Sequence, residues 1–226
     1  MDKNLKKNIN DTRRGKILLT AARLFIEQGY DKTGMRQIAE EAGVSLSLTN
    51  YHFGSKRELG VRLIQGHLRA LQPYVKTYTE EDERLFAATL LRLNYNLMNR
   101  PALKQFYEDT LLNDIYLEAL TTGNVERDKQ RSLSTAQMFW VLSDSYIPAS
   151  IERAMVVCPF SDMIGMDVPD FIIRYFMYHV SSGEKVLHEP EWYVTKSREL
   201  GVAILEDHPH LYNILQDIPK NVAQYV

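Results

Sequence analysis

Apolar residues return every three or four positions along most of the chain. Ile17, Leu18, Ala21, Ala22, Leu24 and Phe25 form one such series and Gly29 closes it, which predicts a helix over about 12–28. Met35, Ile38, Ala39 and Ala42 predict a short second helix, and the stretch from Leu48 to Phe53 a third. Ser55, with Glu58 three residues on, is a capping box. It opens a fourth helix carrying Leu59, Leu63, Ile64, His67, Leu68 and Leu71, which Pro73 is expected to kink or end. Leu85, Phe86, Thr89, Leu93 and Leu97 predict a helix over about 80–99, and Pro101 suits the first position of another reaching about 120. A loop at 121–124 precedes a long apolar helix over about 129–157, kinked at Pro148. Two amphipathic helices over about 168–182 and 191–206 complete the pattern, with a mixed tail after Asp207. No strand pair or internal repeat interrupts it. The chain reads as all-α.

The spacing around 37–59, QIAEEAGVSLSLTNYHFGSKREL, is unusual. Its two short helical patterns flank Ala42-Gly43-Val44-Ser45 too closely for an ordinary helical hairpin, and the second is only about two turns long. A helix that short is marginal alone in water. Ala39, Gly43 and Val44 stand where a helix-turn-helix needs a small residue, a turn glycine and an apolar plug. The short, nearly uncharged helix then has a purpose: its neighbours hold it, and its free face enters the DNA major groove.

Charge supports this. The net charge of -2 hides a first segment, 1–70, with 13 Lys and Arg against 7 Asp and Glu, and a remainder with 14 against 22. A basic end on an acidic remainder points to a polyanion at that end. With 45% apolar and 25% charged residues the chain can fill a core. One cysteine, Cys158, excludes an internal disulfide framework and fits a reducing cytosol. The start, MDKNLKKNINDTRRGK, has no apolar stretch behind it and does not fit a signal peptide. No apolar run reaches the roughly 18 residues of a membrane span.

The composite of ILLTAARLFIEQGY, MRQIAEEAGVS and YHFGSKREL resembles the N-terminal domain of TetR-family transcriptional regulators, continuously over about 50 residues. The resemblance implies a helix-turn-helix domain over 1–54, a connecting helix over 55–78 and a larger helical ligand-binding and dimerisation domain over 79–226. It implies a cytoplasmic homodimer on a palindromic operator in double-stranded DNA, with a small-molecule effector and no membrane partner. By position, Ser45 caps the recognition helix, and Leu46, Ser47, Leu48, Asn50 and Tyr51 face or flank DNA. Lys56 matches the family's phosphate-contacting lysine, and Arg36 and Gln37 lie near the DNA backbone. His52 and Phe53 are packing residues. Three positions depart from the family pattern: Gly34 replaces the Ser or Thr cap of helix two, Thr49 stands where members bury Leu, and Asn50 replaces a phosphate-reaching tyrosine.

Beyond residue 79 the resemblance is only in helicity and length. Tyr95, Phe106, Tyr107, Phe139, Trp140 and Tyr146, with Ser143 and Asp144, form either a packed core or the lining of an amphipathic ligand pocket. An acid such as Asp144 in so apolar a helix must face solvent or meet a partner. Phe171, Ile172, Tyr175, Phe176, Tyr178 and His179 leave more apolar surface than one neighbouring helix covers. Their pairing with Trp192, Val194, Val202, Ala203 and Leu205 across a two-fold axis predicts a four-helix dimer interface. No catalytic constellation, metal set or phosphate loop is found, so neither an enzyme nor a cofactor is expected. Glu206-Asp207-His208-Pro209-His210 reads as a solvated tail. Two functions fit: a repressor released from DNA by a small molecule, or a DNA-binding architectural or protein-recruiting factor without an inducer.

Overall fold

Good helix formers, Lys, Leu and Arg among them, carry the first helix well past its apolar stretch. In the computed structural model, which describes residues 3–113, 115–122, 167, 169–170, 173–174, 177 and 188–213, α1 runs Lys3–Gln28 rather than from about 12. It ends at Gly29, whose φ of 94° suits glycine. Then follow α2 (Met35–Glu41), α3 (Leu46–Phe53), α4 (Lys56–Thr79), α5 (Glu83–Met98), α6 (Pro101–Leu112), α7 (Ile115–Thr122) and α8 (Pro190–Asp207). A 3-10 turn, Pro209–Asn213, follows α8. Among the described residues every regular element is helical.

The chain divides into two compact units. Residues Met1–Ala70, Pro101–Tyr116 and His210–Val226 form the first; Leu71–Arg100 and Leu117–Pro209 form the second. In the first unit the periodic residues of α1 are the core: Ile17, Leu18, Ala21 and Phe25 are fully buried. Burying each larger side chain among these contributes about 1.5–3 kcal/mol. Such burial holds α2 and α3, which at 7 and 8 residues could not persist alone. From α6, Phe106 stacks on Phe25 at 6.0 Å, and Tyr107 meets His67, Phe106 and Tyr116 edge-on.

One expectation fails instructively. The helix expected over 101–120 breaks into α6 and α7. Asn113 donates both its backbone amide, at 3.0 Å, and its side-chain amide, at 2.8 Å, to the Asp109 carbonyl, and its side chain also reaches Asp31 at 3.2 Å. Its own carbonyl accepts from Arg57 at 2.8 Å, a side chain in place of a further turn. Pro73, in contrast, does not end α4, which continues to Thr79. A proline inside a helix costs about 3 kcal/mol, and the burial of Leu71 and Val75 on either side offsets it.

In the second unit α5 packs along α8. The Asp82 carboxylate caps α5, accepting the Arg84 and Leu85 amides at 3.0 and 2.9 Å. Leu85, Ala87, Ala88, Leu91, Ile173, Met177, Tyr193 and Val194 form its core cluster. Arg92, only 3% exposed, is held by Asp167 at 2.6 Å and by Asp170, which also takes Arg198. A buried guanidinium is tolerable only when so paired. Gly201 makes the room: a Cβ there would lie 2.8 Å from Arg92 Cγ.

Candidate nucleic-acid interface

A short helix can present side chains to a ligand only if both of its ends are fixed. The turn before α3 closes with Gly43 at φ 67°. The Val44 amide reaches back to Ala39 O at 3.0 Å, and the Gly43 amide to Glu40 O at 3.1 Å, the pairing that satisfies orphan carbonyls at a helix end. Ser45 is the N-cap of α3; its Oγ accepts the Leu48 amide at 3.2 Å. That cap is why α3 starts at Leu46, two residues before the periodicity predicts. Thr49, where a leucine is usual, is fully buried and loses no hydrogen bond, since its hydroxyl donates to Ser45 O at 3.2 Å. Beyond the far end, the Ser55 amide donates to Phe53 O at 2.8 Å across Gly54 at φ 66°.

With Thr49 and Phe53 turned inward, the opposite face is what remains. Ser47, Asn50 and Tyr51 are exposed, and Tyr51 is 81% exposed. Positions three and four apart share a helix face, so these three make one contiguous polar patch flanked by the half-buried Leu46 and Leu48. Ser47 Oγ lies 3.0 Å from Ser45 Oγ. The patch holds hydroxyls and an amide and no formal charge. It can donate to and accept from base edges.

The flanks are more constrained than the sequence suggests. Arg36 is exposed, but Gln37 accepts from Gln28 at 2.8 Å and donates to Glu41 at 3.0 Å. Arg23 binds Glu27 at 2.9 Å and also Glu41. These bonds from Arg23 and then Gln37 hold the Glu41 carboxyl below its usual range. Gly34 begins α2 with no side-chain cap and with open space where a Cβ would stand. Lys56 donates to Tyr30 O at 3.1 Å with its ammonium 4.3 Å from the Tyr30 ring centroid. An ammonium has three donors, and Tyr30 O engages one. His52 is half-buried; burial first, then Arg14 and Arg13, hold its pKa below the ordinary histidine value.

One functional tie was missed from the sequence. Asp109 of α6, buried, accepts the Tyr30 amide at 2.7 Å and the Gln105 amide, also at 2.7 Å. Arg57 of α4 donates to Asn113 O at 2.8 Å. The last turn of α6 thus holds both the α1–α2 loop and the start of α4. The signal was an acid on the same face as Phe106 and Thr110.

The remaining expected site residues belong to different units or lie outside the described residues. Phe106 and Tyr107 are core of the first unit, whereas Tyr95 is half-buried beside the second unit's cluster. Burial and the nearby Asp167 raise the Tyr95 pKa. Phe139, Trp140, Ser143, Asp144 and Tyr146 lie outside the described residues, as do Phe171, Ile172, Tyr175, Phe176, Tyr178 and His179. Of the expected dimer residues that are described, Val194 and Leu205 are buried and Val202 is 49% exposed. Near the tail, His208 lies against the rings of Tyr74 and Tyr78. Among the described residues no cluster of three metal-type ligands occurs, and no helix is long and apolar enough to cross a membrane.

Comparison with known proteins adds a family. Residues 17–63 match the model for bacterial regulatory proteins of the tetR family. Over 82 residues the chain is 39% identical to the HTH-type transcriptional activator FasR of Mycolicibacterium smegmatis, covering 34% of this chain and 37% of that protein. Over 58 residues it is 40% identical to the HTH-type transcriptional repressor KstR2 of Mycobacterium tuberculosis, covering 26% and 29%. The similarity thus spans about a third of each relative's length. Among solved structures, a gamma-butyrolactone receptor (ArpA-like protein) aligns with 86% of this chain and 98% of its own, at 15% identity and a TM-score of 0.40. The regulator PfmR of Thermus thermophilus aligns over 84% and 93%, at 19% identity and a TM-score of 0.32.

Proposed function

Since its N-terminal domain places this chain in the TetR family of bacterial regulatory proteins, we propose that it is a sequence-specific DNA-binding transcriptional regulator acting as a homodimer in the cytoplasm. The observation that carries this reading is the exposed, uncharged patch Ser47–Asn50–Tyr51 on a helix fixed at both ends. A patch of that kind discriminates among bases; surrounding cations supply affinity. In a two-fold dimer the two recognition helices enter successive major grooves, so the operator is a palindrome with half-sites about 34 Å apart.

Release by a small molecule is the favoured mode, with repression as the consequence of binding. What supports it is the hold of α6 on the α1–α2 loop and on Arg57: a ligand that moves α6 moves the recognition helix with it. Such a ligand acts only through its differential affinity for the two arrangements. Of the residues expected from the sequence, Tyr95, Trp140, Ser143 and Asp144, all of the second unit, are its candidate contacts. Selection of bound duplexes from random DNA tests the DNA reading. Enrichment of one palindrome is expected, and a bound pool without common sequence would overturn it. With the operator in hand, Trp140→Ala should raise the ligand concentration needed for release; unchanged release by a folded variant would place the ligand elsewhere.

A further inference from the structure

Two hydroxyls meet at the start of the recognition helix. Ser45 Oγ lies 3.0 Å from Ser47 Oγ and also accepts the Leu48 amide at 3.2 Å. Ser45 is held through its backbone as well: its carbonyl accepts the Thr49 amide at 3.0 Å and the Thr49 hydroxyl at 3.2 Å. Thr49 is fully buried, so the cap is pinned to the core while its own hydroxyl stays on the surface. Ser47 is exposed, one helical turn before Asn50 and Tyr51 on the face turned away from the core. Among the described residues neither serine hydroxyl has a further partner.

A serine hydroxyl has one hydrogen and two lone pairs, so the pair can bond in two ways. In the first, the Leu48 amide donates to Ser45, Ser45 donates to Ser47, and Ser47 points its hydrogen outward. In the second, Ser47 donates to Ser45, whose oxygen then accepts twice, and Ser47 faces outward with lone pairs alone. These arrangements differ in energy. An oxygen that already accepts from a peptide N–H is polarised toward donating, and bonds that run one way along a chain strengthen one another by about 10–30% each. The free N–H groups of the first helical turn act in the same sense, because their positive end favours oxygens turned toward the helix and hydrogens turned away. Both effects select the first arrangement.

We infer that Ser45, besides capping α3, fixes Ser47 as a hydrogen-bond donor to the base edge it meets. A positioning residue behind the contact thus helps to set the operator sequence. This rests on the DNA-binding reading. In the major groove guanine accepts at N7 and O6, adenine at N7 and thymine at O4, whereas cytosine offers only its N4 amine. Ser47 therefore disfavours cytosine as the base it faces.

The test replaces Ser45 with Asp in the full chain. An ionised Asp caps a helix about as well as Ser but only accepts, so the Ser47 hydroxyl must donate to it and turn its lone pairs to the groove. Each half-site position of the selected operator is varied through all four base pairs, and equilibrium binding is measured for every duplex, with melting temperatures confirming that each variant folds. At one position per half-site the wild type should disfavour cytosine by about fivefold, the weight of a single hydrogen bond. Ser45→Asp should favour cytosine there by a similar factor; its added charge weakens binding to every duplex alike and cancels in the ratio. Ser45→Gly, a neutral cap without a hydroxyl, should level the preference, and Ser45→Thr should retain it. Ser47→Ala should also level it, and adding Ser45→Asp to Ser47→Ala should change nothing further, as an effect transmitted through Ser47 requires. Wild-type base preference in Ser45→Asp, Ser45→Gly or Ser47→Ala, or a shift by Ser45→Asp that survives without Ser47, overturns the proposal. A wild-type chain that enriches no common sequence overturns the DNA reading itself.

Discussion

Replacing Asp109 tests whether α6 is tied to the DNA-binding domain by one buried carboxylate. Its two oxygens accept the Tyr30 amide and the Gln105 side chain, each at 2.7 Å, and the residue is 8% exposed. Its Oδ2 also lies where a Cβ on Gly29 would come within 3.1 Å, so the loop backbone is close against it. A hydrogen bond to a charged acceptor contributes about 1.5–3 kcal/mol, and removing the acceptor of a buried backbone donor adds a desolvation term of similar size. Because these overlap, Asp109→Ala should cost about 2–3 kcal/mol. That is a large part of the roughly 5–15 kcal/mol that holds a typical domain folded. Asp109→Asn keeps one acceptor oxygen for Tyr30 and should cost about 1 kcal/mol; Gln105→Ala, at the wetter end, should cost less. Urea unfolding followed by circular dichroism reads this as a lowered midpoint, by about 1 M for Asp109→Ala, at unchanged slope. A midpoint within about 0.2 M of wild type would refute the tie.

Three further outcomes are expected. Gly54→Ala puts a side chain at φ 66° with its Cβ 1.8 Å from the present position of Glu58 Oε2; even after Glu58 swings away it should cost about 1–3 kcal/mol, read as a lowered melting temperature. Gly34→Ser, at a cap with open space around it, should instead gain a few tenths of a kcal/mol. Lys56→Ala should weaken binding to all DNA sequences alike and lower the salt slope by about 1, whereas Asn50→Ala should change preference at one base pair by about 1–3 kcal/mol; the reverse pattern would reassign both residues. For His52 the folded pKa is depressed, so the unfolded chain binds more protons just below the ordinary histidine value of about 6.5. Folding stability should therefore fall as pH drops from about 6.5 toward the folded pKa, and His52→Gln should flatten that part of the profile; an unchanged profile would contradict the burial argument.

The helical architecture was legible because core positions repeat with the period of the helix, as Ile17, Ala21 and Phe25 do in α1. The recognition unit was legible for a different reason. A tight turn restricts residue type, and Gly43, Val44 and Ser45 each meet one such restriction. What stayed hidden depends on contacts remote in sequence. The break after α6 needs Asn113 to find Asp31, 82 residues away, and Lys56 has its ammonium against Tyr30. Asp109 gave a visible clue, an acid on an apolar face, but its partner is a backbone amide that no side-chain pattern announces. Pro73 does not end α4, because propensity is local while the buried residues around it are held by the fold. The polar beginning of α1 has no apolar period and so no periodic sign of its helix.

The central claim is that the exposed face of α3 reads sequence, and one titration meets it directly. The full-length protein is titrated onto a labelled selected operator and onto a scrambled duplex of equal length and composition, both at about 150 mM salt, with fluorescence anisotropy as the readout. Specific regulators bind their sites at least about 10³-fold more tightly than other DNA. A separation of the two curves of that order is the predicted result. Superimposed curves would contradict it.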